Sequence, residues 1–277
     1  MLCEIAGAYV RHSPIEIGKW RVADFLRKRL SLKPVRDVIS VTGGLVMNVD
    51  TADFLQRELF VHHDFEPNIR REILRILKPN DVYIDIGANI GFYALQASKT
   101  VGENGKVYAF EPSPPTRAAL LRNIELNAAK NIAAIDFALS DSQGTAKFFL
   151  NKANNSGASS LNQSPDSGEV VEVSLTTYDQ FADQEGLPTP SLIKIDVEGA
   201  EMKVLRGMKA LLSRRAPPPI ILEVSEWSLK QMGSSKDELF ELMMGYNYVA
   251  RLLSRPVVSI FSRGNIFFQY DVLFTQP

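Results

Sequence analysis

The stretch DVYIDIGANIGFY, Asp81 to Tyr93, runs a set of strand formers into two glycines four residues apart, Gly87 and Gly91, with an asparagine between them. VYIDI lacks the polar alternation of a half-exposed strand and reads as one buried on both faces, as in a parallel sheet. GFYALQASKT, behind the bend, has helical apolar spacing. A glycine bend between a buried strand and a helix lets main chain and ligand approach closely, and the helix start offers unpaired N–H groups.

The alternation continues outward. KVYAF, SLIKID and PIILEV are further apolar runs, separated by helix-like segments such as SPPTRAALLRNIELNAA and AEMKVLRGMKALLSRR. Ser113, before Pro114 and Pro115, reads as an N-cap with proline in the first turn. The pattern predicts an α/β fold, a mostly parallel sheet with helices on both faces. YNYVARLL and NIFFQYDVLFT have no helix between them and read as an antiparallel pair closing the sheet edge. The first 65 residues differ: a basic helical stretch, KWRVADFLRKRL, precedes DVISVTGGLVMNVD, a hairpin turning at Gly43 and Gly44. We therefore assign 1–65 to an N-terminal appendage of helix and β-hairpin, and 66–277 to the main domain. Residues 151–169, NKANNSGASSLNQSPDSGE, have almost nothing to bury and read as a disordered insertion or a flap over a site.

Charge narrows the partners. With 31 Lys+Arg against 32 Asp+Glu, no overall field draws the chain to nucleic acid or anionic lipid, which points to a small-molecule or glycan substrate. The lone cysteine, Cys3, has no internal disulfide partner. No apolar run approaches the roughly 20 residues that span a bilayer. In MLCEIAGAYVRH the charges flank the apolar stretch in the reverse of a signal peptide's order, so the expected location is cytoplasmic. The sequons at Asn154 and Asn162 are then read as chance.

The bend alone leaves two ligands open, a dinucleotide and S-adenosylmethionine. A dinucleotide fingerprint reads G-x-G-x-x-G, whereas Gly87-Ala88-Asn89-Ile90-Gly91 lacks the close third glycine. Glu111, ending the next strand in YAFEPS, is placed to accept hydrogen bonds from a ribose diol in either case. Asp85 lies inside the apolar run, where an unpaired carboxylate is costly, so it calls for a partner: the amides of the turn or a cationic ligand group. Asp141, in ALSDSQG, reads equally as a turn aspartate or as an adenine contact.

Catalytic groups in open α/β sheets gather beyond the carboxyl ends of the strands. LIKIDVEGAE sets Lys194, Asp196, Glu198 and Glu201 there, with Lys194 and Asp196 on one side of the strand, and Glu223 ends the next strand. Three roles compete for them: proton removal from a substrate hydroxyl, binding of Mg²⁺ or a similar hard cation, and a structural ion-pair network. The junction FVHHDFEPN holds His62, His63, Asp64 and Glu66. A base or metal ligand there is one reading; solvated junction residues are the favoured one.

In order and spacing, FEP (Phe65–Pro67), DIGANIGFY (Asp85–Tyr93), FEPS (Phe110–Ser113), ALSD (Ala138–Asp141), GASSL (Gly157–Leu161) and IKIDVEGAE (Ile193–Glu201) closely resemble the FkbM family of S-adenosylmethionine-dependent methyltransferases. The resemblance implies a class I methyltransferase Rossmann-like sheet of seven strands, the last antiparallel. It makes Asp85, Gly87 and Asn89 part of the cradle for the methionine end, Glu111 the ribose ligand and Asp141 an adenine contact. Ala88 and Gly91 of the same turn, and Pro112 beside Glu111, are counted with them. Lys194, Asp196 and Glu198 fall beside the transferred methyl, with Glu223 as a fourth catalytic candidate and a divalent metal left open. The expected reaction is O-methylation of a sugar, glycan or polyketide-type hydroxyl. N-methylation of a peptide or amide and nicotinamide-dependent oxidoreduction are the alternatives.

Overall fold

The computed structural model describes every residue except Met1, 14–18, 152–154, 164–166, 255–256 and 261–265. Asn154 lies outside the described residues. Helices α1 (Leu2–His12) and α2 (Lys19–Leu32) open the chain, followed by the hairpin β1 (Arg36–Val41) and β2 (Leu45–Asp50) and helices α3 (Phe54–His62) and α4 (Pro67–Ile76). Next come β3 (Val82–Ile86), α5 (Phe92–Val101), β4 (Lys106–Phe110), α6 (Pro114–Leu126) and β5 (Ile132–Ile135). Three strands then leave the main sheet: β6 (Phe137–Leu139), β7 (Gly144–Asn151) and β8 (Ser167–Thr176). The chain returns with β9 (Leu192–Ile195) and β10 (Ile220–Ser225), and ends on β11 (Val249–Leu252), β12 (Val257–Ile260) and β13 (Ile266–Thr275).

The main sheet runs β5-β4-β3-β9-β10-β13-β11. β3, β4, β5, β9 and β10 are parallel, and β13 is antiparallel to both β10 and β11. β12 pairs further along β13. β3 is buried at every position, as its unalternating sequence requires. The winding direction reverses between β3 and β9, so the carboxyl ends of these two strands flank the switch point where open α/β sheets leave a crevice.

The hairpin turns at Gly43 and Gly44, both at positive φ as its tight turn needs. Its Ile39, Val41, Leu45, Met47 and Val49 enter one core with Tyr83, Leu95 and Val107 of the main sheet layer. α1 and α2 form a smaller core with Val61. The IAAIDFAL run divides: β5 stays in the main sheet, while β6 pairs with β8. β7 and β8 form an antiparallel hairpin whose far end carries a short turn, Ser156–Ala158. That turn hangs over the carboxyl edge: Ser156 donates through N to Asp53 Oδ2 (2.6 Å) and through Oγ to Asn89 Oδ1 (3.2 Å). Among its described residues, 151–169 is thus a flap docked on the site.

α6 starts on its prolines, but Ser113 makes no side-chain cap bond. Its main-chain N–H instead donates to Glu111 Oε1 (2.9 Å), and its hydroxyl accepts from Thr116. No helix among the described residues is long and apolar enough to cross a membrane.

Candidate active site

Two cavities meet at the switch point, sharing Gly87, Asn89, Gly157, Asp196 and Glu198 as lining. The narrower one is walled by Phe110, Phe137, Leu139 and Phe148, with Glu111 and Pro112 at its edge and the flap residues Ser156, Ser159 and Leu161 as a roof. The larger, of about 370 Å³, is lined by Phe65, Glu66, Tyr93, Lys194, Glu223 and Trp227 among others, with Phe54 and Leu55 of α3 reaching it from the N-terminal part.

The glycine bend is a main-chain device. Gly87 (φ 84°) and Ala88 both donate N–H to the Phe110 carbonyl. A Cβ on Gly87 would lie 1.8 Å from the carbonyl oxygen of Asp196, so the β3 and β9 ends pack too closely for any side chain. Asn89 takes a left-handed conformation (φ 50°), which asparagine tolerates better than most residues. Its side-chain oxygen accepts from Ile90 N, and its own N–H donates to Glu111 Oε2 at 3.0 Å. Glu111 therefore receives one main-chain donor on each oxygen, Asn89 N and Ser113 N. Burial raises its pKa to about 7, against those two bonds and the charge of Arg117.

An aromatic-walled slot ending in a fixed carboxylate offers the chemistry that an adenine ring and a ribose diol require. S-adenosylmethionine seated there would have its adenosine against Phe110, Phe137 and Glu111, and its methionine end along Gly87, Ala88 and Asn89.

The larger cavity is a side-chain device. Lys194 is buried, with Nζ 2.8 Å from Asp196 Oδ2 and 4.9 Å from the centre of the Tyr93 ring. Burial pulls its pKa down, but the charges of Asp196 and Asp85, the Asp196 hydrogen bond and Glu66 outweigh this and hold Lys194 protonated. Asp196, Glu198 and Glu223 place one oxygen each within 4.8 Å of one another, close enough to hold a hard divalent cation together. Burial, then repulsion from Asp196, raises the pKa values of both Glu198 and Glu223 well above the usual carboxylate value. Glu223 also accepts from Gln269 at 2.7 Å. Glu198 sits at φ 52°, in a turn held by Glu201, whose Oε1 accepts from the N–H groups of Val197 and Gly199. Glu66, Asn89 and Glu198 are all left-handed, and all three line this cavity; such conformations persist where surrounding structure enforces them.

Of the sequence-derived candidates, Gly87, Ala88, Asn89, Glu111, Pro112, Lys194, Asp196, Glu198 and Glu223 line the two cavities. Asp85, Gly91 and Asp141 line neither. Asp85 is 1% exposed beside Lys194 in the β3–β9 ladder, and neither carboxylate oxygen has a hydrogen-bond partner among the described residues. Burial lifts its pKa to about 6, with Lys194 opposing and Asp196 adding to the rise. It faces the lysine from within the sheet rather than the cavity. Gly91 starts α5 in a left-handed turn. Asp141 is exposed and accepts from Ser140 Oγ.

The junction residues separate. His62 lies against Glu58 and Arg27, Asp64 pairs with Arg70, and neither they nor His63 line a cavity. Glu66 does, and accepts from the Tyr93 hydroxyl at 2.6 Å. Tyr93 was quoted with the bend, yet only folding brings it onto Glu66.

A parallel sheet wound in this order, with an antiparallel strand inserted next to its last and a cleft at the switch point, is the sheet of class I S-adenosylmethionine-dependent methyltransferases. The Methyltransferase FkbM domain model matches residues 85–250, and the chain belongs to that family. Among curated relatives, it is 29% identical over 186 residues to methyltransferase sdnD of Sordaria araneosa, covering 57% of this chain and 69% of that protein. It is 31% identical over 194 residues to the 31-O-demethyl-FK506 methyltransferase FkbM of Streptomyces tacrolimicus (59% and 71%), and 29% over 143 residues to the hexuronic acid methyltransferase AglP of Haloferax volcanii (52% and 56%). Membership in this family displaces the nicotinamide alternative.

Proposed function

We propose that the protein transfers the methyl group of S-adenosylmethionine to a hydroxyl of a sugar, glycan or polyketide-type natural product. The observation that carries this is the larger cavity: carboxylates beside Phe65, Trp227 and Phe268, opening directly onto the adenosine slot. Aromatic faces and carboxylate acceptors together suit a polyhydroxylated ligand, whose C–H faces stack while its hydroxyls donate. One relative's name, 31-O-demethyl-FK506 methyltransferase, agrees with transfer to oxygen, and another, hexuronic acid methyltransferase, with a sugar acid as acceptor.

Bound S-adenosylmethionine supplies an electrophilic methyl on a sulfonium. The chain supplies alignment, which accounts for much of the rate of an in-line displacement. Glu111 fixes the ribose and the Gly87–Asn89 turn positions the methionine end. Lys194, held by Asp196, balances the cluster's negative charge. Glu198 and Glu223 line the same cavity and offer oxygens to the acceptor's hydroxyls. Residues 1–65 act as an appendage that contributes Phe54 and Leu55 to acceptor recognition. The flap closes over both cavities.

The test is a panel of sugar and polyketide alcohols screened by mass for the gain of one methyl, with and without a chelator. A hydroxyl product supports the reading, and methylation confined to amines overturns it. Activity abolished by the chelator and restored by Mg²⁺ would assign Asp196, Glu198 and Glu223 to a cation.

A further inference from the structure

We propose that Glu66 is the general base of the transfer, taking the acceptor's hydroxyl proton on Oε1 while Tyr93 holds Oε2. This rests on the hydroxyl-acceptor reading above. As the acceptor oxygen bonds to the methyl carbon and the carbon–sulfur bond breaks toward sulfur, the proton passes to Glu66, leaving a methyl ether, a neutral thioether and a neutral carboxylic acid.

The backbone gives the first argument. Glu66 precedes Pro67, a position driven toward extended conformations, yet it sits at φ 39°, ψ 66°. It occupies the N-cap position of α4 and makes no side-chain bond to the helix N–H groups, which leaves its carboxylate free to turn elsewhere. A left-handed glutamate is strained, and such outliers concentrate at functional sites. What the conformation achieves is a side chain lining the larger cavity, anchored by Tyr93.

Hydrogen bonding gives the second. Tyr93 takes up Oε2, and no described residue bonds Oε1. The partner of the committed oxygen sets Glu66 apart: Asp196 is tied to the cation of Lys194 and Glu223 to the amide of Gln269, whereas Glu66 is held by a neutral phenol. The Tyr93 hydroxyl, with its own pKa pushed well up by burial and by Glu66, stays a donor throughout.

The charges around Glu66 suit the role. Burial, then Asp271 of β13, raise its pKa; the Tyr93 hydrogen bond lowers it, Asp196 raises it and Lys194 lowers it, leaving it at about 7. A base is most effective with its pKa near the working pH.

A purely structural account has Glu66 tying α4 to α5 through Tyr93. Glu66→Gln separates the two, because the amide oxygen still accepts from Tyr93 while the base is gone. With glutamate labelled by ¹³C at the side-chain carboxyl, the Glu66 resonance is identified by its absence in Glu66→Gln and titrated. The expected midpoint is about 7; a midpoint in the ordinary range, near ~4.3, overturns the proposal. Tyr93→Phe should move the midpoint upward, since the lost hydrogen bond lowers it. On an alcohol methylated in the panel, wild-type turnover should rise through neutral pH, and Glu66→Gln should lose roughly 10²–10⁴-fold in kcat with cofactor affinity unchanged. Wild-type turnover in Glu66→Gln overturns the assignment. Methylation of amines alone, with Glu66 still titrating near neutrality, removes the hydroxyl reading instead, and Glu66→Gln on that amine then decides the base.

Discussion

The two ends of the cleft are built from different materials. At the end proposed for adenosine, the carboxylate is held by the main chain: Glu111 takes Asn89 N and Ser113 N, and the Gly87 bend packs against the backbone of Asp196. At the end proposed for the acceptor, side chains from the N-cap of α4, from α5, from β9 and the residue after it, and from β10 and β13 hold one another through Tyr93–Glu66, Lys194–Asp196 and Gln269–Glu223. Main-chain construction fixes a ligand that never changes. Side-chain construction lets acceptor chemistry vary on the same frame, because one residue can change without moving a strand.

If that contrast holds, the largest single effect belongs to Gly87→Ala. A left-handed alanine costs roughly 1–2 kcal/mol. The clash with the Asp196 carbonyl adds to it, and cannot be relieved cheaply because Asp196 N is bonded to the Ile86 carbonyl. The expected loss exceeds about 4 kcal/mol, in the exceptional class for one substitution, and is read by urea unfolding. A wild-type unfolding midpoint would show that the bend is not main-chain-determined.

At the other end, Asp196→Asn should leave both fold and cofactor affinity nearly intact, since Asp85 remains to face the buried Lys194. Turnover on a panel acceptor should fall roughly 10²-fold, as Lys194 keeps an amide acceptor but loses its charged partner and the cavity loses a carboxylate. Calorimetry with S-adenosylmethionine, run beside initial rates, separates these; an equal loss in both would merge the two ends into one unit. Glu111→Ala should show the converse, costing about 2 kcal/mol of cofactor affinity, some 30-fold in Kd, through the lost diol contacts and two orphaned N–H groups.

The same contrast explains what the sequence disclosed. Main-chain requirements are written locally: two glycines and an asparagine mark the bend, prolines mark the start of α6, and an unalternating run marks β3. The strand order follows from the succession of such runs and its family resemblance. Side-chain networks are not written locally. Glu66 reads as a junction residue until folding brings Tyr93 against it, 27 positions on, and Asp271 from the last strand. Its one local signal is an acidic residue before proline at a helix start that then makes no cap. Asp85 misleads in the opposite sense, because a carboxylate beside a glycine bend reads as a ligand contact when strand alternation turns it toward Lys194. The departure of β6 from the main sheet was equally hidden, since IAAIDFAL is apolar enough for either sheet.

The flap joins the two ends, and the smallest expected effect tests it. Asp53 does two jobs: Oδ1 caps α3 through Gln56 N at 3.0 Å, and Oδ2 takes Ser156 N from the flap at 2.6 Å. Asp53→Asn keeps one side-chain oxygen, so the helix stays capped while the latch faces an amide that donates where an acceptor is needed. Asp53→Ala removes both and should cost about 1 kcal/mol of stability, the ordinary value of a lost cap. If the flap acts only by holding the roof of the adenosine slot, the two variants should release S-adenosylmethionine at the same raised rate in stopped-flow displacement while differing in Tm. Release that follows Tm instead would mean that the roof is held by α3 as a whole, and that Phe54 and Leu55, which α3 sends into the acceptor cavity, move with it.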